Sequence, residues 1–282
     1  MTNRPFRSAL YIPGSKDRAL DKARGLSVDA ILFDLEDAVA PDEKVAARHT
    51  LKEALYQGGY GNRYRIVRIN ALDTEWGRDD AAEVLEMDCD AILLPKVNSP
   101  ADVDALVEIV GEMKIWAMME TPLGVINAAA IAAHPSVEGF VLGTNDLAKD
   151  LNTRKAARRE PLLYSLQACL LAAKAHGVIA IDGVYNAFKD EAGLAEECEQ
   201  GRDMGFDGKS LIHPAQVDIA NAAFAPTEAE IDLARRQIAA FDEAMKAGQG
   251  VAVVDGRIVE NLHIVTARAT LAKADAIAAL DH

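Results

Sequence analysis

Cysteine is scarce in this chain: three residues in 282, at positions 89, 169 and 198. They lie far apart and form no CxxC pair. That argues against a disulfide framework or a thiolate zinc site and fits reduced thiols in a cytoplasmic protein. No apolar stretch reaches the ~18 residues of a membrane span. The opening MTNRPFRSAL has no apolar core, so no signal peptide is expected. Positive charge is in deficit, with 30 Lys and Arg against 44 Asp and Glu and a net charge of −14. A field of that sign repels nucleic acid and anionic membrane, and neither is expected as a partner. The turn after the first apolar run, YIPGSKDR, has a single Gly, so a dinucleotide fingerprint is missing. There is no GxSxG elbow, and neither Ser210 nor Cys198 has the surroundings of a nucleophile, which argues against a Ser or Cys hydrolase. Internal repeats, low-complexity segments and long flexible linkers are absent as well.

What the chain does have is a recurring unit: a short apolar run that ends on an ionisable residue, followed by a helix-like stretch. The runs are predicted as strands over 9–13, 31–36, 64–69, 91–96, 114–119, 139–143, 178–182 and 208–212. Helices are predicted near 16–25, 42–56, 76–87, 100–110, 124–133, 162–176, 191–201 and 214–223, with the charged stretch DLNTRKAARRE leading into the sixth. Eight such units predict a (β/α)8 TIM barrel over residues 1–226, with an open doubly wound sheet as the alternative. The strand ends of such a barrel face one way. Asp34, Glu36, Asp37, Arg68, Lys96, Glu120, Asp146, Asp182 and Lys209 are therefore expected around one mouth. Residues 227–282 do not fit a ninth unit. A helix opening at Thr227, a hairpin about Asp255-Gly256 and a last helix near 262–280 form an arm too small for its own core. Its packing partner is the barrel or a neighbouring subunit.

Glu120 and Asp146 are the sharpest pair. One βα unit separates them, so they would end adjacent strands ~5 Å apart. Two carboxylates that close repel unless a cation lies between them or one is protonated. Hard oxygen ligands without nearby Cys or His favour Mg2+, and ion pairing to Lys96 or Arg68 is the alternative. Arg68 ends an apolar strand, where its guanidinium is either a fork for a carboxylate or oxyanion or a counter-charge to Glu36 and Asp37. Asp34 and Glu36 alternate onto one face, so at most two of the three acids meet a ligand and one holds Arg68 or a helix N-terminus. Lys16, Arg18, Lys22 and Arg24 form a local basic patch suited to phosphates, or else a solvated helix face. Lys16 and Arg18 lie nearest the mouth. His134-Pro135 and His213-Pro214 read as turns rather than metal ligands. Asp255, in an Asp-Gly pair, reads locally as a turn residue.

The stretches FRSALYIPGS, ILFDLEDAV with EKxxAR after it, VRIN, ILLPKV, METPLG, GTNDLA, DGVY, GFDGKSLIHPAQ and VVDGRIVENLHIVTAR together resemble the citrate lyase β-subunit-like family. That family holds malyl-CoA lyases, citramalyl-CoA lyases and malyl-CoA thioesterases, and this chain looks most like the (3S)-malyl-CoA thioesterase branch. The resemblance covers essentially the whole chain. It implies a (β/α)8 barrel, Mg2+ (with Mn2+ as a substitute) and a CoA thioester substrate. It also implies a homotrimer or homohexamer whose C-terminal arm reaches a neighbour's active site. By motif, Glu120 and Asp146 match the metal ligands, and Arg68 matches the arginine at the thioester. Glu36 and Asp37 match acids lining the pocket. Asp255 matches a general acid/base from the adjacent subunit, and Lys16 and Arg18 fall where CoA phosphates are met. The expected activity is hydrolysis of malyl-CoA to malate and CoA. The alternatives are cleavage to acetyl-CoA and a 2-keto acid such as glyoxylate, or action as a β-subunit within a citrate lyase complex.

Overall fold

The structure, a computed structural model, describes residues 4–154 and 159–280. Residues 155–158 of the charged stretch DLNTRKAARRE therefore lie outside the described residues. The chain forms two compact units, one from Phe6 to Phe224 and the other built mainly from Ala225 onward.

The first unit alternates strand and helix. Ser8–Pro13 (β1) leads to Asp17–Ala23 (α1), and Ala30–Asp34 (β2) to Lys44–Gln57 (α2). Tyr64–Arg68 (β3) leads to Gly77–Val84 (α3), and Ala91–Leu94 (β4) to Pro100–Val110 (α4). Lys114–Met119 (β5) is followed by two short helices, Pro122–Ile126 (α5) and Ala128–Ala132 (α6), where one was predicted. Val137–Leu142 (β6) is followed by Thr144–Asp150 (α7) and Leu163–His176 (α8). Ile179–Asp182 (β7) leads to Glu191–Met204 (α9), and Gly208–Leu211 (β8) to Val217–Phe224 (α10). The strands are all parallel and pair in sequence order. β1 also pairs with β8, Ser8 beside Lys209 and Leu10 beside Leu211, so the sheet closes on itself. That closure is the (β/α)8 barrel and rules out the open sheet.

Period-two alternation divides the apolar side chains into two cores. Ala9, Ala30, Leu32, Ile66, Ala91, Leu93, Trp116, Met118, Val141 and Ile181 fill the interior of the barrel. Residues of opposite parity, such as Leu10, Ile31, Phe33, Val67, Ile92, Ile115 and Phe140, pack under the helices. At the strand starts Phe6, Tyr64 and Trp116 pack edge-to-face or tilted, with ring centroids 5.2–6.1 Å apart, and plug that end. That end is thus closed, with Tyr64 and Trp116 also donating to Glu138 Oε2, and the cluster of Asp34, Arg68 and Glu120 lies at the opposite end, where the strands finish. Helix starts are fixed locally: Ser99 and Asp102 form a capping box on α4, and Asp190 accepts from Gly193 N at 3.0 Å on α9.

The second unit opens with Glu228–Lys246 (α11), capped reciprocally by Thr227 and Glu230. Ala252–Val254 (β9) and Arg257–Val259 (β10) form an antiparallel hairpin, and Asn261–Ala278 (α12) follows. Asp255 and Gly256 at its tip have φ of 51° and 73°. Positive φ at both central residues is what a type I′ turn requires. Ala244, Ala252, Val259 and Ile264, with Phe241 and Ile238 beside them, are its small apolar centre. Val253, Ile258, Leu262 and Val265 are exposed.

Candidate active site at the barrel mouth

Asp34 and Arg68 are partners in register on β2 and β3, both on the inward parity. Arg68 Nε donates to Asp34 Oδ1 at 2.7 Å and Nη2 to Oδ2 at 2.6 Å, a bidentate fork. Asp34 also accepts the backbone N–H of Glu36 at 2.8 Å and of Ala38 at 3.0 Å. It is therefore the acid that holds both the arginine and the loop. The Nη1 edge of Arg68 faces Glu36 Oε2 at 2.8 Å and Asp37 Oδ2 at 3.4 Å. From the side the guanidinium lies over the Tyr11 ring, 4.8 Å from its centroid. Burial works against the charge of Arg68, but Asp34, Tyr11 and Glu36 together more than offset it and the group stays protonated. Glu36 is buried, and burial raises its pKa although Arg68 and Lys96 pull it down. Its Oε2 is within ion-pair distance of Arg68 but accepts no aligned hydrogen bond. Asp37 is mostly exposed at the rim.

Lys96 bridges the two halves of the mouth. It follows β4 with φ of 53°, a left-handed conformation uncommon outside Gly and Asn. That twist lets its N–H donate to Glu120 Oε1 at 2.8 Å while Nζ reaches Glu36 Oε1 at 3.3 Å.

Glu120 continues the inward parity of Trp116 and Met118 one residue beyond β5, and it is almost wholly buried. Gly143 lies opposite, one residue beyond β6. A Cβ there would fall 2.3 Å from Glu120 Cβ and 2.6 Å from Oε2, so the missing side chain is what makes room for the carboxylate. Burial, then Glu36, push the pKa of Glu120 up to about 7, and Asp146 adds to the rise. Asp146 sits in the first turn of α7. Burial alone would raise its pKa, but Lys149, 2.7 Å away, and Lys96 hold it below the usual carboxylate range. The loop carrying Glu120 is pinned by Thr121, which caps α5 and donates to Asn98 Oδ1 at 2.6 Å.

Among the described residues no group of three or more His, Cys, Asp or Glu is arranged to hold a metal ion. A metal here would rest on Glu120 and Asp146 with water and substrate completing its shell. The donor set fits Mg2+, which takes one or two carboxylates and keeps open positions for other oxygens. A buried carboxylate whose charge is poorly balanced by protein cations is a second feature that fits.

Two of the strand-end charges do not join the mouth. Asp182 and Lys209 have the outward parity of their strands, since Ile181 faces the interior. Lys209 is fully buried and donates to Asp182 Oδ2 at 3.2 Å, Gly183 O at 2.6 Å and Glu197 Oε1 at 2.7 Å on α9. Arg159 Nη1 donates to Asp182 Oδ1 at 2.6 Å. A Cβ on Gly201 would lie 2.7 Å from Asp182 Oδ2, which places that carboxylate against α9. The expectation of one shared mouth is corrected for this pair, because a charge one residue earlier on a strand faces the helices instead.

Of the basic patch, Lys16 and Arg18 are exposed, and Lys16 Nζ lies 3.3 Å from Glu43 Oε2. Arg24 is committed to Gly58 O at 2.8 Å and Ala54 O at 3.3 Å. His213 caps a turn and stacks on Phe188 at 4.6 Å. Asp255, in the second unit, is ion-paired to Arg236 at 2.8 Å. Tyr11 was not expected in the site. Its signal was the alternation of Ala9 and Tyr11 on the inner face of β1.

The sequence model of the HpcH/HpaI aldolase/citrate lyase family matches residues 7–214. The chain is 65% identical over 275 residues to a (3S)-malyl-CoA thioesterase of Cereibacter sphaeroides, covering 98% of this chain and 96% of that protein. It is 37% identical over 284 residues to the citrate lyase subunit beta of Escherichia coli, covering 96% and 94%. Among solved structures, CitE of Mycobacterium tuberculosis in complex with magnesium, acetoacetate and coenzyme A matches with a TM-score of 0.82 and 28% identity, over 97% of this chain and 100% of that one.

Proposed function

The chain belongs to the HpcH/HpaI aldolase/citrate lyase family, and we propose that it is a Mg2+-dependent enzyme hydrolysing (3S)-malyl-CoA to malate and CoA. The observation that carries this reading is the 65% identity to a (3S)-malyl-CoA thioesterase across nearly the full length of both chains. The mouth supplies parts that suit the chemistry. Glu120 and Asp146 would hold Mg2+, which when bound supplies Lewis-acid polarisation to the hydroxy-acid end of the substrate. Arg68, gripped along one edge by Asp34, turns its Nη1 edge to the mouth as a donor for the thioester oxygen. Glu36 or Asp37 takes a proton from the attacking water. The water oxygen bonds to the thioester carbon, the C–S bond breaks, and the protonated acid returns its proton to the departing thiolate, so that CoA leaves as the thiol and the new carboxyl ionises. Lys16 and Arg18 are the cations offered to CoA phosphates.

We further propose that Asp255, on the hairpin tip, serves as an acid/base group in a neighbouring subunit of a homotrimer or homohexamer, with the barrel assigned to residues 1–226 and the arm to 227–282. The exposed Val253 and Ile258 beside Asp255 fit a contact surface. Among the described residues no helix is long and apolar enough to cross a membrane, and we place the enzyme in the cytoplasm. A second reading, cleavage to acetyl-CoA and glyoxylate, is supported by the 37% identity to citrate lyase subunit beta. The same arginine would then stabilise an enolate and Asp255 would protonate its carbon.

The test is incubation with (3S)-malyl-CoA and Mg2+. Thiol released in step with malate supports hydrolysis, and glyoxylate without thiol supports the lyase. EDTA should stop either reaction and excess Mg2+ restore it, whereas full activity in metal-free buffer would rule out the metal site.

A further inference from the structure

Lys44 has no part in the chemistry above, yet its placement is costly. It is the first residue of α2, where a cation opposes the helix dipole. It is buried, and burial lowers its pKa despite the nearby Glu36 and Asp34. Its Nζ donates to Leu35 O at 3.1 Å and Glu36 O at 2.8 Å, and lies 5.2 Å from the centroid of the Trp76 ring. An ammonium has three N–H donors, and two carbonyls and an aromatic face account for them.

The two carbonyls belong to the peptide units on either side of the Glu36 Cα. The N–H of the first unit is already held by Asp34 Oδ1 at 2.8 Å. Leu35 O also accepts from Asn70 Nδ2 at 2.8 Å. Asn70 is fixed by Asp80 Oδ2, at 2.6 Å through its side chain and 3.0 Å through its N–H, and Asp80 by Arg48 Nε at 2.7 Å. Asp34 closes the β2 ladder, and just beyond it the backbone of Leu35 and Glu36 is gripped on several sides by buried groups. Glu36 itself then faces Arg68 and Lys96.

We propose that Lys44 is a positioning residue that acts through Glu36: by holding both flanking carbonyls it sets where the Glu36 carboxylate meets Arg68 and Lys96. The Arg48–Asp80–Asn70 chain braces the Leu35 carbonyl as well. This rests on the reading of the mouth as the catalytic site. A merely structural staple between β2 and α2 would lower stability without acting through Glu36, and that difference is measurable.

Two measurements on Lys44→Met decide it. Backbone hydrogen exchange over residues 34–39 should speed up, with β4 to β6 unchanged. With (3S)-malyl-CoA and Mg2+, kcat should fall by about 10²-fold, the scale of a small misplacement of a reacting group. KM should stay within about twofold, since no substrate contact is lost. In a Glu36→Gln background the same substitution should cost less than about threefold, because the residue it acts through is already disabled. An equal loss in both backgrounds, or unchanged exchange over 34–39, overturns the proposal. If Lys44→Met does not fold, Lys44→Gln, which keeps a donor, takes its place in the same cycle. A wild-type protein inactive on malyl-CoA would refute the proposed function alone, and the exchange pattern would still decide whether Lys44 holds Glu36.

Discussion

Arg68 is held along one edge by Asp34 and over one face by Tyr11, which leaves the Nη1 edge for the mouth. A lysine at that position keeps the charge but has neither the planar fork nor the stacking surface. Arg68→Lys should therefore lower kcat by about 10²-fold or more, the scale of losing one oxyanion donor. Steady-state kinetics checks this, and a rate within a few-fold of wild type would reduce Arg68 to a counter-charge. Much of this site was legible from strand parity. Alternation put Asp34 and Glu36 on one face, and one of the acids was expected to hold Arg68 or a helix N-terminus; Asp34 takes the first of these roles. The part played by Lys96 was not legible, because it depends on a left-handed φ that no pattern in AILLPKV announces. Nor did composition reveal that Gly143 gives way to Glu120, since that needs the register of β5 against β6.

At the scale of elements, β7, β8 and α9 are joined by the buried charges of Asp182 and Lys209 and their partners Glu197 and Arg159. Burial alone would raise the pKa of Asp182, but Lys209 and Arg159 carry it below its ordinary value. A depressed carboxylate stabilises the fold above its unfolded pKa of ~3.9, and that contribution is lost as pH falls through the lower folded value. Asp182→Asn leaves Lys209 short of its buried counter-charge and should cost about 3 kcal/mol at pH 7. Thermal melts should show the gap between wild type and variant narrowing as pH drops below about 4. A gap independent of pH would mean that Asp182 is not ionised in the fold. The eight strands were legible in their order, because each is an apolar run bounded by turn residues. The helix α7 was not, since TNDLAKD is short, polar and only about two turns long. The helix predicted at 124–133 is divided at Asn127, which ends α5, opens α6 and donates to Asn98 O at 2.8 Å.

For the whole molecule, both the barrel and the family resemblance read from the motifs are borne out. A closed parallel barrel is written in repeated local units, which is why sequence alone reaches it, whereas subunit arrangement depends on surfaces that no periodicity describes. If Asp255 serves a neighbour's mouth, Asp255→Ala and Arg68→Ala should each be nearly inactive, yet subunit exchange between them should restore part of the activity. Assay after exchange confirmed by mass checks this, and a mixture that stays inactive would leave the arm without a catalytic role. Running the reaction in ¹⁸O-water with Mg2+ and counting products shows whether this mouth directs water at the thioester of malyl-CoA. Hydrolysis should give free CoA and malate in equal amounts, one ¹⁸O in the new carboxylate of each malate, and no accumulation of acetyl-CoA. Acetyl-CoA and glyoxylate in equal amounts, with neither thiol nor malate released, would instead make the protein a lyase.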